Sequence, residues 1–319
     1  MTREQNIFVC GSGSVSPAGW GTESLSAAWE KKSPLPTQDL ARPGWENPLR
    51  IRNVPAPTAR PAFLAHPRLR RSTSIAQFTV AAALEAMQSD LESIQSGALR
   101  LGIIVAVLTG AVTYTRRFYE EVLRQPGTAS PLLFPETVFN SSASHLGAYL
   151  GSKTLNYTLV GDDGTFLQGL VLAAEWLADD RIDACVVVGA EENDWIIADA
   201  LHLYRHKSVH AFGAGALYLR KQPVAGGVEL AAVTDSFPFT QWQHRPEAVA
   251  KMTVQLPSAR SEEIFGSDGI KAVFGEAFTA SAAWQCALAV DAVRRGAVSG
   301  ANVHAVGINQ QAIGARFVK

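Results

Sequence analysis

Cysteine is scarce in this sequence, with three residues among 319. Cys10, Cys185 and Cys286 are isolated in apolar surroundings, which is typical of reduced thiols buried in a core. Their spacing fits neither a disulfide framework nor a zinc site, and the seven histidines are scattered along the chain. The sequence therefore predicts no metal site and no cofactor.

An excess of charge of one sign is also missing. The chain has 28 Lys and Arg residues against 29 Asp and Glu residues, and no long basic run, so it lacks the electrostatic signature of a nucleic-acid-binding protein. No apolar run is long enough to span a membrane, and the apolar residues after the first five are too few for a signal peptide. We therefore expect a soluble cytoplasmic protein that has no membrane span and does not bind nucleic acid.

The stretch from Ser130 to Glu192 carries the most informative pattern. It contains, in order, a loop bracketed by Pro131 and Pro135, a predicted helix over 141–150, a β-rich run over 155–160, a tight turn over 161–164, a predicted helix over 165–178 and an apolar predicted strand over 184–188 that leads into Gly189-Ala190-Glu191. Apolar periodicity and turn residues support each of these elements.

The strand, turn and helix in the middle of this stretch have the order of a nucleophile elbow. Such a turn exposes one side chain at a helix N-terminus, where backbone N–H groups and the helix dipole favour negative charge. A reactive residue is expected at or near position 163, which is Asp163. The alternative is that Asp163 is a plain N-cap in an Asp-Gly turn, since aspartate is favoured at both places. The spacing leaves both interpretations open.

The whole stretch resembles the β-ketoacyl synthases of the thiolase superfamily. Those proteins carry Pro-x-x-x-Pro, Asn-Ser-x-Ala-x-His-Leu, a strand, a Cys-centred elbow, a helix and Gly-Ala-Glu in this order, and here the matching residues are Pro131, Pro135, Asn140, 144–146 and 189–191. The resemblance extends along nearly the whole chain. It implies an α/β, thiolase-like fold in which two related β/α halves form a five-layer α-β-α-β-α arrangement.

The same resemblance sets the expected domain organisation. It implies a single thiolase-like domain over 1–319, with an N-terminal half over about 1–222 and a C-terminal half over about 223–319. Residues 33–68 hold eight of the sixteen prolines and little periodicity, so we expect an irregular surface excursion there.

The resemblance also implies that the catalytic residues of the family are missing. Counting back from Gly189-Ala190-Glu191 puts the catalytic cysteine on Asp163. Pro257 stands at the first of the family's two enolate-binding histidines, and Glu276 stands at the second, five residues after the retained Lys271. Decarboxylative condensation needs a thiolate nucleophile and donors for the enolate. We therefore expect no catalytic residues. One interpretation is that the two acids pair with Lys271 and fill the pocket, and the sequence leaves open whether the pocket is open or filled.

The closing loop of the pocket departs from the family as well. The usual Gly-Phe-Gly-Gly is rewritten here as Gly-Ile-Asn-Gln at 307–310. This change adds to the implied loss of activity.

Synthase paralogues without the cysteine act as chain length factors, which form a heterodimer with an active β-ketoacyl synthase and shape the end of its acyl tunnel. The resemblance is to those of type II polyketide and aryl-polyene systems, with an acyl carrier protein as a further partner through the complex. The implied tunnel or gate residues are Leu108, Val112, Arg116, Leu133 and Phe134. Arg116 departs from an apolar gate and is expected to form an ion pair or to bind a polar chain terminus.

The resemblance places the dimer contact on the strand before the elbow. In the family this strand pairs antiparallel with its counterpart across a two-fold axis, and the residues here are Leu155, Asn156, Tyr157, Thr158, Leu159 and Val160. Two other functions remain open: an enzyme with new acyl-transfer or hydrolytic chemistry that uses Asp163 and Glu276, or a purely structural partner subunit. An open pocket with a raised carboxylate pKa would favour the enzyme.

Overall fold

The computed structural model describes residues 6–308 and 311–319. The strands are β1 Phe8–Ser16, β2 Gly19–Trp20, β3 Gln38–Leu40, β4 Leu49–Arg52, β5 Leu101–Val107, β6 Thr154–Val160, β7 Ala184–Glu191, β8 His210–Ala211, β9 Gly213–Arg220, β10 Val228–Val233, β11 Phe237–Pro238, β12 Ile264–Gly266, β13 Gly300–Val306 and β14 Gln311–Val318. The helices are α1 Thr22–Glu30, α2 Ser74–Ala86, α3 Leu91–Gln95, α4 Val112–Arg124, α5 Ser141–Leu150, α6 Gly164–Ala178, α7 Trp195–Tyr204, α8 Arg245–Val254, α9 Ser267–Phe274 and α10 Phe278–Arg294.

Most strands belong to one continuous sheet. Its order is β12-β13-β14-β10-β1-β9-β7-β5-β6, with β11 added to β14 and β2 added to β1. β5 lies at the centre of a parallel trio with β6 and β7, and all of its residues are buried. This burial explains the near-continuous apolar run at 101–107, since a strand covered on both faces needs no polar alternation.

Two helices form the middle of the molecule. α6 and α10 contact each other, and each packs between strands from the two ends of the sheet: β5, β7 and β9 on one side, β13 and β14 on the other. Nearly all residues of α10 are buried, and α6 is apolar around most of its circumference. A helix with no polar face is one that is covered on all sides.

Outer helices complete the layers. α2 and α5 cover the far face of the β9-β7-β5-β6 strands, and α8 covers the far face of β13 and β14. The predicted five layers are therefore confirmed. The sequence did not predict that the two β layers join into one sheet, which happens because β1 pairs antiparallel with β10.

The proline-rich segment over 33–68 is less irregular than predicted. It contains β3 and β4, which form a small three-stranded sheet with the distant β8. The parallel pairing of β4 with β8 joins Ile51 to His210 and Arg52 to Ala211, and all four are buried. This contact holds the segment against the region around Glu276, because Glu276 also bridges to His210.

Within the described residues, none of the helices is long and apolar enough to cross a membrane. Over the same residues, 6–308 and 311–319, no group of three or more His, Cys, Asp or Glu side chains could hold a metal ion.

Candidate functional site

The turn between β6 and α6 places Asp163 at the N-terminal end of α6. Its backbone is already helical (φ −43°, ψ −47°), and its side chain caps none of the N–H groups of the helix. A capping side chain requires an extended backbone at this position to reach those groups. The interpretation of Asp163 as a plain N-cap is therefore wrong, and its carboxylate faces Lys271 instead.

Lys271 joins the two acids that replace the expected catalytic residues. Its Nζ lies 2.8 Å from Oδ2 of Asp163 and 2.8 Å from Oε2 of Glu276, and it donates to the carbonyl of Val306 at 3.2 Å. The exposed fraction of the side chain is 0% for Asp163, 4% for Glu276 and 18% for Lys271. The structure thus brings together Asp163, Lys271 and Glu276 as the sequence predicted.

A glycine turn makes this geometry possible. Lys271 lies on α9, and Gly275 follows the helix with φ +96°. A Cβ on Gly275 would lie 2.8 Å from the Cβ of Ala211, so only glycine fits there. The turn brings Glu276 back to Lys271, while Oε1 of Glu276 accepts a hydrogen bond from the N–H of Phe278 at 3.0 Å. The ion pair therefore links the starts of α6 and α10.

Burial and mutual charge set the protonation of the cluster. Burial raises the pKa of Asp163 well above its usual range; Lys271 opposes the rise, and the carboxylates of Glu276 and Asp162 add to it. Burial likewise raises the pKa of Asp162 to about 6. Burial alone would lower the pKa of Lys271, but Asp163 and Glu276 raise it. The ammonium is therefore retained at neutral pH beside buried carboxylate charge.

Asp162 is a site residue that the sequence reasoning missed. It is 3% exposed, and a Cβ on Gly307 would overlap its carboxylate, so the glycine allows the two segments to touch. A hydrogen bond from Gln311 at the start of β14 lowers the pKa of Asp162 in part. The Asp-Asp pair in the turn was the only sequence signal for it.

The structure does not place Pro257 with this cluster, which corrects the sequence prediction. Pro257 is exposed in the loop after α8, and its carbonyl accepts a hydrogen bond from Asn302 on β13 at 2.8 Å. The segment between Pro257 and α9 is short, and β12 leads directly into α9 at Ser267. Of the predicted closing loop, Gly307 and Ile308 lie beside the cluster, whereas Asn309 and Gln310 lie outside the described residues.

An apolar cavity of about 810 Å³ opens beside the elbow. Thr109, Asp162 and Arg205 are its polar lining residues. The other eight present apolar or aromatic groups: Leu108, Ile197, Ala200, Leu201, Tyr204, Trp242, Phe278 and Ile308. Phe278 has φ +45°, a strained value for a residue with a side chain. The cavity lies between the end of β5, α7 and the start of α10.

A smaller basic cavity of about 270 Å³ adjoins the ion pair. Lys271, Glu276, Val306 and Gly307 line its inner side. Its remaining charged lining residues are mostly cationic: Arg52, Arg205, Lys207, Arg245 and the acid Asp268. The two cavities share Arg205, Trp242 and Ile308.

The predicted gate residues fall into different environments. Leu108 lines the apolar cavity, whereas Val112, Leu133 and Phe134 lie away from its lining. Leu133 is buried, and Phe134 is 58% exposed with its ring 5.7 Å from that of Phe118 on α4.

Arg116 forms ion pairs, which is one of the two contacts expected for it. Its Nε lies 2.9 Å from Oδ2 of Asp194, and a terminal guanidinium nitrogen lies 2.8 Å from Oε1 of Glu120. Asp194 is buried and also accepts from the N–H of Ile196, so it caps α7. Arg116 therefore attaches α4 to α7 and does not point to a gate.

The predicted dimer strand, β6, is an edge of the sheet. It pairs with β5 on one side only, and its residues are half-buried or exposed, with Tyr157 at 51% and Val160 at 55%. Elsewhere in the chain, α4 has no buried residue, and large apolar side chains are exposed along it and the loop that follows: Tyr119, Leu123, Leu132, Phe134, Val138 and Phe139. An unpaired edge strand and an exposed apolar surface are each typical of interaction sites.

Two buried acids at the end of β7, Glu191 and Glu192, organise this region, and the sequence reasoning noted only the first, as part of a motif. Glu191 accepts hydrogen bonds from the N–H groups of Leu108 (2.7 Å) and Thr109 (3.1 Å) and from the hydroxyls of Thr109 (2.7 Å) and Thr279 (2.9 Å). Burial raises the pKa of Glu191 to about 7, and these hydrogen bonds lower it in part. Glu192 accepts from N–H groups in the first turns of α2 and α4.

Comparisons with known proteins agree with this architecture. No family model and no curated protein matches the chain. Solved structures do. The ishigamide ketosynthase/chain length factor matches with a TM-score of 0.79 at 16% identity, over 98% of this chain and 99% of that chain. A ketosynthase in complex with its chain length factor from Xenorhabdus doucetiae matches with a TM-score of 0.77 at 13% identity, over 100% of this chain and 99% of that chain.

A third match is a type II polyketide acyl-carrier protein in complex with its ketosynthase bound to the hexaketide. The TM-score is 0.76 at 13% identity, over 99% of each chain. At such identities the likeness shows the fold. The chain has the thiolase-like fold of the ketosynthases.

Proposed function

We propose that this chain is a catalytically inactive ketosynthase paralogue that acts as a chain length factor. One observation carries the proposal: at the elbow where the resemblance expects the catalytic cysteine, Asp163 is buried and bound to Lys271, which also holds Glu276. A carboxylate in an ion pair is a poor nucleophile, and its acyl product from a thioester would be a mixed anhydride, uphill from the donor. An ionised Glu276 would repel an enolate.

The proposed partner is an active β-ketoacyl synthase, which would supply the cysteine and histidines. The exposed edge of β6 and the apolar surface of α4 support a large, apolar contact of this kind. We expect β6 to pair antiparallel with the corresponding strand of the partner. The pair would act on acyl chains carried by an acyl carrier protein in polyketide, polyene or fatty-acid-like synthesis. One of the matched structures is a type II polyketide acyl-carrier protein in complex with its ketosynthase, and another is a ketosynthase in complex with its chain length factor.

The alternative enzyme with Asp163 and Glu276 as its catalytic pair is less well supported. Burial raises the pKa of Asp163, as this alternative expects, and Glu276 lines the basic cavity. Asp163 is fully buried, however, and both acids share one lysine, so Asp163 is not placed to attack a substrate. The second alternative, a structural subunit that never meets substrate, is separated from the proposal by product analysis.

Co-expression tests the proposal. The chain with an affinity tag is expressed together with candidate ketosynthases that keep the Cys-His-His set, and the purified complex is sized by light scattering. The expected result is a stoichiometric heterodimer with one of them, together with condensation products that neither protein makes alone. Failure of the chain to associate with any ketosynthase, together with condensation activity of its own, would contradict the proposal.

A further inference from the structure

The segment over 112–140, here called the arm, is attached to the molecule without a core of its own. It consists of α4 and the loop that leads to α5. Leu133 is the one buried residue among 112–140, all of which the structure describes, whereas Ala111 before the arm and Ser141 after it are buried. A short helix is marginal in water unless an apolar face packs against the protein, so α4 needs another source of stability.

Two buried acids that follow Glu191 hold the start of α4. Oε1 of Glu192 accepts a hydrogen bond from the N–H of Thr113 at 2.8 Å, where negative charge also interacts favourably with the helix dipole. Oδ2 of Asp194 lies 2.9 Å from Nε of Arg116, and the side chain of Asp194 is 3% exposed. These two contacts are called the latch.

Two further polar contacts join the arm to the rest of the molecule. The hydroxyl of Tyr114 donates to the carbonyl of Arg71 at 2.5 Å, and Nε2 of His145 on α5 lies 2.7 Å from Oε2 of Glu136. When the arm moves away, water can replace each polar contact, whereas an apolar core that is uncovered has no such replacement. The attachment of the arm is therefore weak compared with that of a packed helix.

Within the arm, the helix and the loop are joined to each other. The rings of Phe118 and Phe134 lie 5.7 Å apart, and Oε2 of Glu121 accepts a hydrogen bond from the N–H of Ser130 at 2.9 Å. These contacts do not involve the latch. The helix and the loop can therefore move together.

The chain enters the arm through a glycine that can serve as a hinge. Gly110 has φ +64°, in the left-handed region that glycine adopts without strain. At the other end, Asn140 is exposed directly before α5. Hinges are commonly a few loop or element-terminal residues of this kind, which absorb changes in the backbone angles.

We propose that the arm is a hinged element that opens at the latch in the free chain and is held closed by the ketosynthase partner. Elements with few buried apolar contacts open locally at a small cost in free energy. The arm also exposes large apolar side chains for the partner to cover, namely Tyr119, Leu123, Leu132, Phe134, Val138 and Phe139. Opening concerns the free chain alone, whereas closing by a ketosynthase rests on the proposed function.

Hydrogen exchange of the purified chain tests the opening. α5 is the shorter of two successive helices, with 10 residues against 13 in α4. After correction for intrinsic rates, the hydrogen-bonded amides over 116–124 in α4 should nevertheless exchange at least about tenfold faster than those over 145–150 in α5. The reason is that a detached helix of this length is marginal in water and exchanges without global unfolding.

Two neighbouring arginines of α4 provide matched variants, since each forms one ion pair with a glutamate four residues later. Arg116→Gln also removes the ion pair of the latch, while Asp194 remains as the cap of α7. It should speed exchange in α4 by at least about tenfold, because a hydrogen bond between charged groups is lost. Arg117→Gln leaves the latch intact and should change the rate less than about threefold. Exchange in α5 shows whether each variant keeps its fold.

Two results would overturn the opening of the arm. One is protection of α4 as strong as that of α5 in the unmodified chain, which needs no variant to fold. The other is an equal effect of Arg116→Gln and Arg117→Gln on exchange in α4.

The closing step is tested in the purified heterodimer with the ketosynthase. Exchange in α4 should slow there by at least about tenfold, because the partner binds only the closed arm. Unchanged exchange in α4 of a stable heterodimer would overturn the closing step. An arm that opens as expected in a chain that associates with no ketosynthase would contradict the proposed function and leave the opening supported.

Discussion

At the scale of single residues, Lys271 holds the site together. It is the shared partner of two buried acids, so its loss would leave negative charge uncompensated in a poorly solvated place. Removing one member of a buried ion pair costs several kcal/mol, whereas replacing the whole set by apolar groups is often neutral. Asp163, Lys271 and Glu276 therefore depend on one another for stability, even if none of them takes part in catalysis.

The first prediction follows from this arrangement. Lys271→Met should lower the free energy of unfolding by on the order of 3 kcal/mol, a value that allows for the partial exposure of the lysine. Urea unfolding followed by circular dichroism measures it. Combining Lys271→Met with Asp163→Leu and Glu276→Gln should recover much of the loss. If Lys271→Met alone is as stable as the unmodified protein, the ion pair does not stabilise the fold.

The second prediction concerns pH. Burial raises the pKa of Asp162 to about 6 from its ordinary 3.8, so the unfolded chain loses this proton at lower pH than the folded chain. The contribution of the protonated Asp162 carboxyl to the free energy of unfolding is fully present below about pH 4 and is lost as the pH rises through 6. Relative to Asp162→Asn, the unmodified protein should lose up to about 3 kcal/mol between pH 4 and 7, at about 1.4 kcal/mol per pH unit.

The measurement is the difference between the two unfolding free energies at several pH values, which cancels the groups that do not interact with Asp162. Glu191, whose burial raises its pKa to about 7, titrates in both and drops out of the difference. A difference that stays constant from pH 4 to 7 would contradict the raised pKa of Asp162.

Sequence reasoning predicted part of this site. Asp163, Lys271 and Glu276 were located by the resemblance to the β-ketoacyl synthases, through the Gly-Ala-Glu and Lys-x-x-x-Gly motifs, and the structure joins them. The placement of Pro257 was wrong, because the segment between Pro257 and α9 is short here and Pro257 lies in an exposed loop away from the cluster. The sequence could not predict Arg52, because β4 reaches the site only through its pairing with the distant β8.

At the scale of elements, β6 is the strand whose unpaired edge needs explanation. Its Tyr157 and Val160 are exposed, and the strand is paired on one side only. Native proteins protect or use such edges, because unpaired N–H and C=O groups invite another strand. The sequence predicted this strand to within one residue, and its role in an interface stays a prediction.

The third prediction tests the β6 interface. Thr158→Pro removes a backbone donor, and Val160→Lys places a charge on the exposed edge, so both should prevent association with the ketosynthase. Val254→Lys, at a residue that is 85% exposed on α8, is the control. Sedimentation or light scattering gives the assembly state, and circular dichroism confirms folding. If Val160→Lys still forms the heterodimer with unchanged affinity, the interface is elsewhere.

The fourth prediction concerns α4 and the loop after it. If Val112 and Leu133 meet the growing chain, Val112→Ala and Leu133→Ala should lengthen the product of the reconstituted pair, and Val112→Phe should shorten it. Extra methylenes in a packed site cost roughly 1–3 kcal/mol, about tenfold or more in the rate of each extension. Mass spectrometry of the products measures the shift.

Leu133 is buried, so its truncation also costs stability, and the heterodimer must be shown to persist in each variant. Unchanged product length across all three variants, with the dimer intact, would reduce the chain to a structural partner. Arg116 is left out of this set, because its ion pair with Asp194 attaches α4 to α7.

At the scale of the whole molecule, the sequence predicted the layers but not their connection. Apolar periodicity and turn residues locate most helices and strands, because burial and local turns determine them. The pairing of β1 with β10 joins strands that are far apart in the chain, and no local sequence pattern predicts such a contact. The cavities are likewise defined by loops that meet only in the folded protein.

The central claim is that this chain contributes no condensation chemistry of its own. Malonyl-dependent elongation of an acyl carrier protein substrate, measured for the chain alone, for its Asp163→Cys variant, and for the heterodimer, tests it most directly. We expect no elongation above background from the chain or the variant, since a thiol at 163 would still lack enolate donors, and turnover only in the heterodimer. Elongation by the purified chain alone would contradict the account.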